Sequence, residues 1–377
     1  MTRNGTAPPR TAVLAALLAA LVSLGGLVAL PAPAASAFSD VAQGVAALLA
    51  GLGAGRRVGR CSDRRTRATW VLVTAACLSW AAGEAYWTWY SLRTGEVPFP
   101  SAADVGFLGF ALLMALALLA HPARGGHRAF VQRLLDGLMT GTAVALVSWL
   151  TVLGAVAGSD FVATSLERVL LLAYPGSDVV LVVLTVLLLS RARGRETALS
   201  LVGAGVVALG VSDSSFAYLG ATGLYDGGLI DMGWIGGFLL IALAGTCPVP
   251  ADDASPDDAG AATALSASPL PYVPVLVALG VVVALTLAGR PLNQAEMLTS
   301  SAIVVCLLGR QYLTVRDNVL LTRELLARQE ELRRQAFTDP LTGVANRALF
   351  LDRLEHVLEL HARDGRPAAV VFLDLDD

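Results

Sequence analysis

The sequence has 377 residues, of which 55% are hydrophobic and only 15% are charged. Soluble domains carry about 25% charged residues, so this composition excludes an ordinary water-soluble fold and requires lipid to cover the surplus apolar surface. The formal net charge of −3 is small, and we expect membrane lipid, rather than nucleic acid, to be a partner of the chain.

Ten apolar segments follow one another along the chain, and each approaches the length of about 20 residues that a membrane-spanning helix needs. We therefore expect a mostly α fold: a polytopic helical membrane domain of about 10 spans, followed by a charged helix and the truncated start of an α/β domain. The predicted spans are residues 11–30, 38–55, 68–90, 105–120, 134–157, 169–190, 198–219, 229–246, 272–288 and 297–313.

The first predicted span has a second interpretation. Arg3 and Arg10 precede its apolar run, and Ala35-Ser36-Ala37 follows with the small residues of a signal-peptidase site. Residues 1–37 are therefore either a first membrane span or a signal peptide. Both interpretations leave the rest of the topology unchanged, because the next span runs from outside to inside in either case.

The arginines of the connecting loops predict the orientation of the spans. They concentrate in alternate loops, and the positive-inside rule places such loops in the cytoplasm. With ten spans both termini then lie inside, so we expect a multi-pass protein of an inner or plasma membrane with a cytoplasmic C-terminus. The clustered arginines are Arg56, Arg57, Arg60, Arg64, Arg65, Arg67, Arg124, Arg128, Arg133, Arg191, Arg193 and Arg195.

Two stretches of the membrane domain resemble each other, residues 83–110 and residues 210–238. The acid and glycine of Asp104-x-Gly106 align with those of Asp231-x-Gly233. This pattern predicts a repeated helical hairpin with an acidic residue at the start of its second helix, and internal repeats are common in membrane folds. A weaker echo at residues 174–178 suggests a third copy.

Several carboxylates fall within the apolar spans or at their rims. A charge at mid-bilayer costs about 2.5–3.5 kcal/mol on insertion scales, so such a residue has to face a partner, water or a ligand. Glu84 and Asp213 lie nearest the middle of their helices and are our candidates for a site that binds a sensed ligand or a proton. For Asp104, Asp178 and Asp231 we favour a structural role, in which each carboxylate caps the start of a helix.

Residues 247–271 are acidic and rich in Ala, Ser and Pro, which predicts a flexible linker between residues 38–246 and a final helix pair at 272–314. Residues 315–336 follow as a charged stretch without Gly or Pro. A seam at alternating three- and four-residue steps predicts a short parallel coiled coil that pairs two copies of the chain. The alternative is a solvated single helix. The seam positions are Asn318, Leu321, Leu325, Arg328, Leu332 and Gln335.

The last part of the chain carries the most specific motif, a short turn-forming sequence followed by an amphipathic helix over residues 349–361 and an apolar strand over residues 368–373. The strand ends in Asp374-Leu375-Asp376. These features resemble the opening D-x-L-T-G-L-x-N-R motif and the first strand of the GGDEF domain family, with Val344 in place of a leucine. The residues that match the opening motif are Asp339, Leu341, Thr342, Gly343, Asn346 and Arg347.

The resemblance implies a membrane-bound sensory diguanylate cyclase of a bacterium, with residues 38–246 as the sensor and residues 337–377 as the beginning of its α/β output domain. Two copies, paired through residues 315–336, would each bind one GTP and join the two molecules into cyclic di-GMP. Asp374 and the backbone carbonyl of Leu375 would hold Mg²⁺, and the opening-motif residues would be structural.

The chain departs from the family pattern because it stops before the GGDEF hairpin. We therefore expect a fragment of a longer protein, inactive by itself and without catalytic residues of its own. The alternative is a degenerate GGDEF or GGDEF–EAL protein that binds or hydrolyses cyclic di-GMP. A transporter with an attached regulatory domain is a third hypothesis, supported by the repeat and the intramembrane acids. The sequence does not identify the sensed signal.

Overall fold

The computed structural model describes residues 7–95, 97–121, 130–154, 165–191, 197–222, 228–249, 270–339, 342–365, 367, 369–371 and 373. The chain divides into two compact units, Met1–Gly309 and Arg310–Asp377. Within the described residues the fold is built from α-helices and contains no β-strand. The predicted mostly α fold is therefore confirmed.

The helices are numbered here in chain order, and the fifth ends in a π-helical turn at Trp149–Leu153. Their bounds are α1 Arg10–Ala29, α2 Ala32–Val58, α3 Arg64–Thr94, α4 Ala103–Ala120, α5 Phe130–Ser148, α6 Ser165–Arg191, α7 Thr197–Thr222, α8 Asp231–Thr246, α9 Tyr272–Leu287, α10 Gln294–Phe337 and α11 Arg347–Asp364.

Each of the ten predicted spans lies largely on one of these helices. Of the helices in the described chain, 7 are long and apolar enough to cross a membrane, namely α1, α2, α4, α5, α6, α7 and α10. Helices α8 and α9 are apolar but shorter. Helix α3 is not among the seven, since arginines at its start and Glu84 within it lower its hydropathy. The chain is compatible with a membrane-spanning protein, and the count of about ten spans is not confirmed.

The first unit is held together by two main apolar clusters. The larger joins α2, α3, α4, α6, α7 and α8, with aromatic contacts at its centre: the Trp80 and Phe238 rings lie 4.7 Å apart, and the Phe110 and Phe238 rings 5.7 Å apart. The smaller joins α5, α9 and α10 through buried residues such as Met139, Val275 and Ile303. The final helix pair therefore packs on α5 and not in the larger cluster.

Local signals set both ends of α3. The Asp63 carboxylate precedes the helix and accepts hydrogen bonds from the Thr66 backbone N–H at 2.8 Å and from the Thr66 hydroxyl at 2.9 Å. The backbone hydrogen bond is the main cause that lowers the pKa of Asp63, so this carboxylate is an effective N-cap. Gly95 ends the helix with a φ of 81°, a left-handed conformation that favours glycine.

Pairs of glycines mark the points where helices of the first unit approach most closely. A Cβ added at Gly106 would lie 2.6 Å from the Gly83 Cα, and one added at Gly205 would lie 2.6 Å from the Gly237 carbonyl oxygen. Without side chains at these points the backbones can pack directly, as small residues allow in membrane helices. The glycine pairs are Gly83 with Gly106, Gly53 with Gly245, and Gly205 with Gly237.

The glycine contacts predict opposite effects for two substitutions on the same helix. A Cβ at Gly245 would collide with the Gly53 backbone, whereas a Cβ at Gly236 would meet nothing within 4 Å. We expect Gly245→Ala to destabilise the chain by about 1–3 kcal/mol through overpacking. Gly236→Ala is the matched control, and we expect it to be neutral or stabilising by up to about 1 kcal/mol.

The measurement is the thermal unfolding midpoint of the full chain in detergent, followed by fluorescence-detected size exclusion. Equal midpoints for the two variants would show that the α2–α8 approach does not depend on the glycine pair.

Candidate functional site

The first candidate, Glu84 on α3, is buried, with only 4% of its surface exposed. Its carboxyl interacts electrostatically with Asp40 on α2 and with Asp231, the first residue of α8. No other described residue makes a hydrogen bond to it. Gly44 on α2 lies against the side chain, where an added Cβ would be 3.5 Å from the Glu84 Cγ. The structure therefore brings three carboxyls from three helices together.

A buried polar network surrounds this carboxyl cluster. The Ser39 hydroxyl donates a hydrogen bond to Asp231 Oδ2 at 2.6 Å, and the Gln43 amide donates to the Ser39 oxygen at 3.1 Å. All three side chains are buried. Because buried polar groups are stable only when they are paired, this network fixes the start of α8 against α2. Sequence reasoning missed Ser39, Asp40 and Gln43, although three polar residues within one apolar span were the available signal.

The second candidate, Asp213 on α7, lies in a comparable setting. Its Oδ1 accepts a hydrogen bond from the Trp234 indole N–H at 2.7 Å. The carboxyl of Asp178 on α6 lies beside that of Asp213. The Oδ2 atom of Asp178 is buried and has no hydrogen-bond partner among the described residues. Two carboxyls that lie close together repel each other when both are charged.

Asp104 connects this second setting to α4. Its Oδ1 accepts a hydrogen bond from the Tyr174 hydroxyl on α6, and its Oδ2 accepts one from the Ser101 backbone N–H at 2.6 Å. Tyr174 also interacts electrostatically with Asp213. Asp104 therefore stabilises the first turn of α4, as predicted, and in addition joins that turn to α6.

The prediction for Asp178 is wrong, as is the suggested third copy of the hairpin. Asp178 does not start a helix, because α6 runs without interruption over Ser165–Arg191 and includes Pro175. Proline removes one backbone hydrogen bond from a helix, but helices packed within a membrane domain tolerate it when neighbouring groups satisfy the freed carbonyl. A Tyr-Pro-Gly sequence that suggests a turn in water therefore continues a helix here.

The repeat of two hairpins is present as α3–α4 and α7–α8, and their contacts match in register. Gly83 lies against the Ala103 carbonyl, where an added Cβ would be 2.8 Å from the oxygen. At the corresponding place, the Ser212 hydroxyl donates a hydrogen bond to the Ile230 carbonyl at 2.7 Å. Gly83 and Ser212 are therefore equivalent positions.

The equivalence extends to the two candidate acids. Glu84 follows Gly83 directly, and Asp213 follows Ser212 directly. The two acids that sequence reasoning selected for their depth therefore occupy the same position in the two hairpins.

Helix α10 begins in a hydrogen-bonded clasp that sequence reasoning missed. Asn293 and Glu296 cap it reciprocally: the Glu296 N–H donates to the Asn293 side chain at 2.8 Å, and the Asn293 N–H donates to Glu296 Oε2 at 2.9 Å. The buried Glu296 also forms a salt bridge of 3.2 Å with Arg290, whose guanidinium donates to the Leu150 carbonyl at 3.1 Å. The sequence Asn-x-x-Glu before an apolar run indicates such a helix start. The clasp ties α10 to the π-helical turn after α5.

The second unit contains the turn that resembles the GGDEF opening motif. The Asp339 Oδ1 accepts hydrogen bonds from the Thr342 N–H and hydroxyl, both at 2.9 Å. Gly343 has a φ of 72°, which favours glycine. Asn346 caps α11 through the Leu349 N–H at 3.1 Å and donates to the Ala336 carbonyl at 2.8 Å. The turn therefore connects the end of α10 to the start of α11.

The remaining residues predicted for this domain are placed as follows. Arg347 is exposed and is the first residue of α11. Leu341, Asp374 and Leu375 lie outside the described residues, as does most of the linker predicted at 247–271. The Mg²⁺ site therefore stays a prediction. In the described parts of the chain, no group of three or more His, Cys, Asp or Glu residues is arranged to hold a metal ion.

The described residues of the strand predicted at 368–373 are not in a β-strand. Val371 and Leu373 are 77% and 86% exposed. A strand is stable only when neighbouring strands satisfy its backbone hydrogen bonds. Apart from a single bridge between Thr338 and Ala345, the described chain offers no such partner.

Comparison with known proteins agrees with the motif. Residues 336–377 match the family model described as "Diguanylate cyclase, GGDEF domain". The chain is also similar to the "Uncharacterized protein in hutH 5'region" of Streptomyces griseus, with 47% identity over 49 residues, which are 13% of this chain and 20% of that protein. The chain thus matches about a fifth of that relative's length. No solved structure matches the chain significantly. Residues 336–377 therefore belong to the GGDEF domain family.

Proposed function

We propose that this chain is part of a membrane-bound sensory diguanylate cyclase, which makes cyclic di-GMP from two molecules of GTP. The observation that carries the proposal is the match of residues 336–377 to the GGDEF domain, placed directly after a helical block that is compatible with a membrane. In this proposal the 3′-hydroxyl of each GTP attacks the α-phosphate of the other, and each attack releases pyrophosphate. Asp374 and the Leu375 carbonyl are the groups proposed to hold Mg²⁺, which supports phosphoryl transfer by neutralising charge.

The opening-motif turn supports this proposal because it orders the start of the output domain. Asn346 holds the end of α10 from two sides, since its side chain donates to the Ala336 carbonyl and its backbone N–H donates to the Phe337 carbonyl at 2.9 Å. The same side chain caps α11. A change in the position of α10 is therefore passed directly to the first helix of the domain.

Helix α10 supports the proposed relay and homodimer. It is continuous over Gln294–Phe337, and Ile303 packs its first part against α5. Its later part exposes apolar seam residues, with Leu325 at 58% and Leu332 at 65% exposure. A second copy of the chain, paired in parallel through residues 315–336, would cover this seam and bring two cyclase domains together. We propose a bacterial inner or plasma membrane location with the C-terminus in the cytoplasm, where GTP is found.

The cyclase proposal predicts product formation by the natural full-length protein. Purified in detergent with GTP and Mg²⁺, it should make cyclic di-GMP, and Asp374→Ala should lower the rate on the order of 100-fold or more by removing a metal ligand. Chromatography of the nucleotide products measures the rate. Asp352→Ala, which removes an exposed acid of α11, is the control. No product from a protein with an intact GGDEF hairpin would refute the proposal and favour a binding or hydrolytic output.

The turn geometry predicts a difference between two substitutions of Asp339. Asp339→Ala removes the acceptor for the Thr342 N–H, worth about 1 kcal/mol, so exchange of that amide with deuterium should quicken about fivefold. Asp339→Asn keeps a side-chain oxygen and should exchange nearly as the wild type does. Hydrogen exchange with mass spectrometry on the full chain makes the measurement, and equal exchange in the two variants would contradict the proposed role of the carboxylate.

The dimer proposal predicts position-dependent cross-linking. In a chain whose four native cysteines are replaced by alanine, Leu325→Cys should form a disulfide between two copies, because a parallel coil brings identical seam residues within bridging distance. Arg323→Cys, which lies off the seam, should cross-link several-fold less. Non-reducing electrophoresis after mild oxidation in membranes separates the products. Equal cross-linking at both positions would favour the single solvated helix.

A further inference from the structure

Glu84 and Asp178 are buried carboxyls whose described electrostatic partners are acidic. The described electrostatic partners of Glu84 are Asp40 and Asp231, both acidic. The described electrostatic partner of Asp178 is the Asp213 carboxyl, which is also acidic. A buried ion without a counter-charge is strongly unfavourable and usually becomes neutral by taking up a proton. A positively charged ligand would therefore neutralise the buried carboxylate at either site.

We propose that the membrane domain binds protons at two matched sites, one at Glu84 and one at the Asp178–Asp213 pair. The inference deepens the proposed sensory function, on which its regulatory meaning rests, by naming the proton as the ligand. It is argued from three observations: an unpartnered buried carboxyl at each site, the close approach of the Asp178 and Asp213 carboxyls, and the matching of the sites across the repeat.

The Glu84 site is built to receive a proton on its central carboxyl. Glu84 is only 4% exposed, and its side chain makes no hydrogen bond to another described residue. Its neighbour Asp231 is held by Ser39, whose hydroxyl donates a hydrogen bond to one of its carboxylate oxygens. A fixed carboxylate beside an unpartnered one is an arrangement in which the unpartnered group takes the proton.

The Asp178–Asp213 site shares its proton between two carboxyls. Asp213 accepts from the Trp234 N–H, so that oxygen is occupied as an acceptor. The Asp178 carboxyl lies beside it, and two neighbouring carboxyls repel each other unless one of them takes up a proton. Asp178 Oδ2 is buried and has no hydrogen-bond partner among the described residues. Gly210 on α7 leaves the space, since a Cβ there would lie 3.3 Å from the Asp178 Cβ.

A proton fits these sites better than a metal ion does. No group of three or more suitable ligands in the described chain has the arrangement that a metal ion needs. Metal ions such as Mg²⁺ or Ca²⁺ require six or more oxygen ligands at short distances, whereas a proton needs only one oxygen and no cavity.

The two sites link the two hairpins reciprocally. Glu84 of α3 interacts with Asp231 at the start of α8, and Asp213 of α7 interacts with Tyr174, which in turn donates to Asp104 at the start of α4. Each site thus joins the middle of one hairpin to the helix start of the other. Binding or release of a proton at either site changes the electrostatic repulsion between carboxyls of the two hairpins.

The titratable groups around each site come from several helices. Around Glu84, α2 supplies Asp40, α8 supplies Asp231 and α4 supplies Asp104, whereas α1 has no titratable residue after Arg10. Around the carboxyl pair, α6 supplies Tyr174, which interacts with both Asp213 and Asp104 of α4. Asp136 on the adjacent α5 lies farther away, because its neighbour Gly137 packs against Leu187 of α6.

The experiment is infrared difference spectroscopy of the full chain in lipid nanodiscs. Protonated carboxyls give a carbonyl stretching band that carboxylates lack, and the band shifts in heavy water. We expect the wild type to show this band at neutral pH, Glu84→Gln to lose one component of it, and Asp213→Asn to lose another. Glu355→Gln, which changes an exposed carboxylate on α11, is the control and should leave the band unchanged.

The outcomes separate the proposal from its rivals. Absence of the band in the wild type would overturn the proposal without depending on how any variant folds, as would a band that both variants retain in full. A band that disappears when Na⁺ replaces choline in the buffer would also overturn it, in favour of a metal-cation site. Because no nucleotide is used, the result does not depend on cyclic di-GMP production. A failed cyclase assay with the band intact would refute the output alone.

Discussion

The constraint on which the first unit depends is the cost of placing carboxyl groups inside an apolar helix bundle. A charge removed from water is tolerated only when it is neutralised or held by hydrogen bonds. The structure meets this requirement by drawing the acids of separate helices into shared polar layers, with Ser39 holding Asp231 and Trp234 holding Asp213. The acids therefore link helices that also pack through apolar contacts.

Glycine contacts allow the helices to approach closely enough for these polar contacts to form. Side-chain hydrogen bonds between helices need axes that approach closely, and the pairs Gly53–Gly245 and Gly205–Gly237 bring α8 against α2 and α7. Helix α8 is short and lies between these two neighbours, so its first residue, Asp231, reaches the Glu84 layer, and Trp234 one turn later reaches Asp213. The two layers share one helix and are not independent.

Sequence reasoning predicted the helices and the repeat, and it selected Glu84 and Asp213 as candidates, because apolar length and mid-span charge are local properties that a single sequence shows directly. It failed for Asp178, because Tyr-Pro-Gly indicates a turn in water but continues a helix inside a bundle. It also missed Ser39 and Arg290, since their roles depend on partners 192 and 140 residues away. The GGDEF motif was recognisable because its turn, from Asp339 to Asn346, is specified within a few residues.

Contacts within the first unit connect the acidic residues of α6 to the first part of α10. Asp178 lies on α6, α6 packs against α5, and α5 packs against α9 and contributes to the apolar cluster that includes Ile303 of α10. Arg290 completes the connection, because it binds the Leu150 carbonyl after α5 and the Glu296 carboxylate at the start of α10. A π-helical turn is a region where backbone hydrogen bonding is already altered, and such turns are frequent at functional sites. A shift of α5 at this turn would therefore change the contacts that Arg290 makes with the first residues of α10. Helix α10 continues without a break over Gln294–Phe337, and its residues from Arg310 onward belong to the second unit.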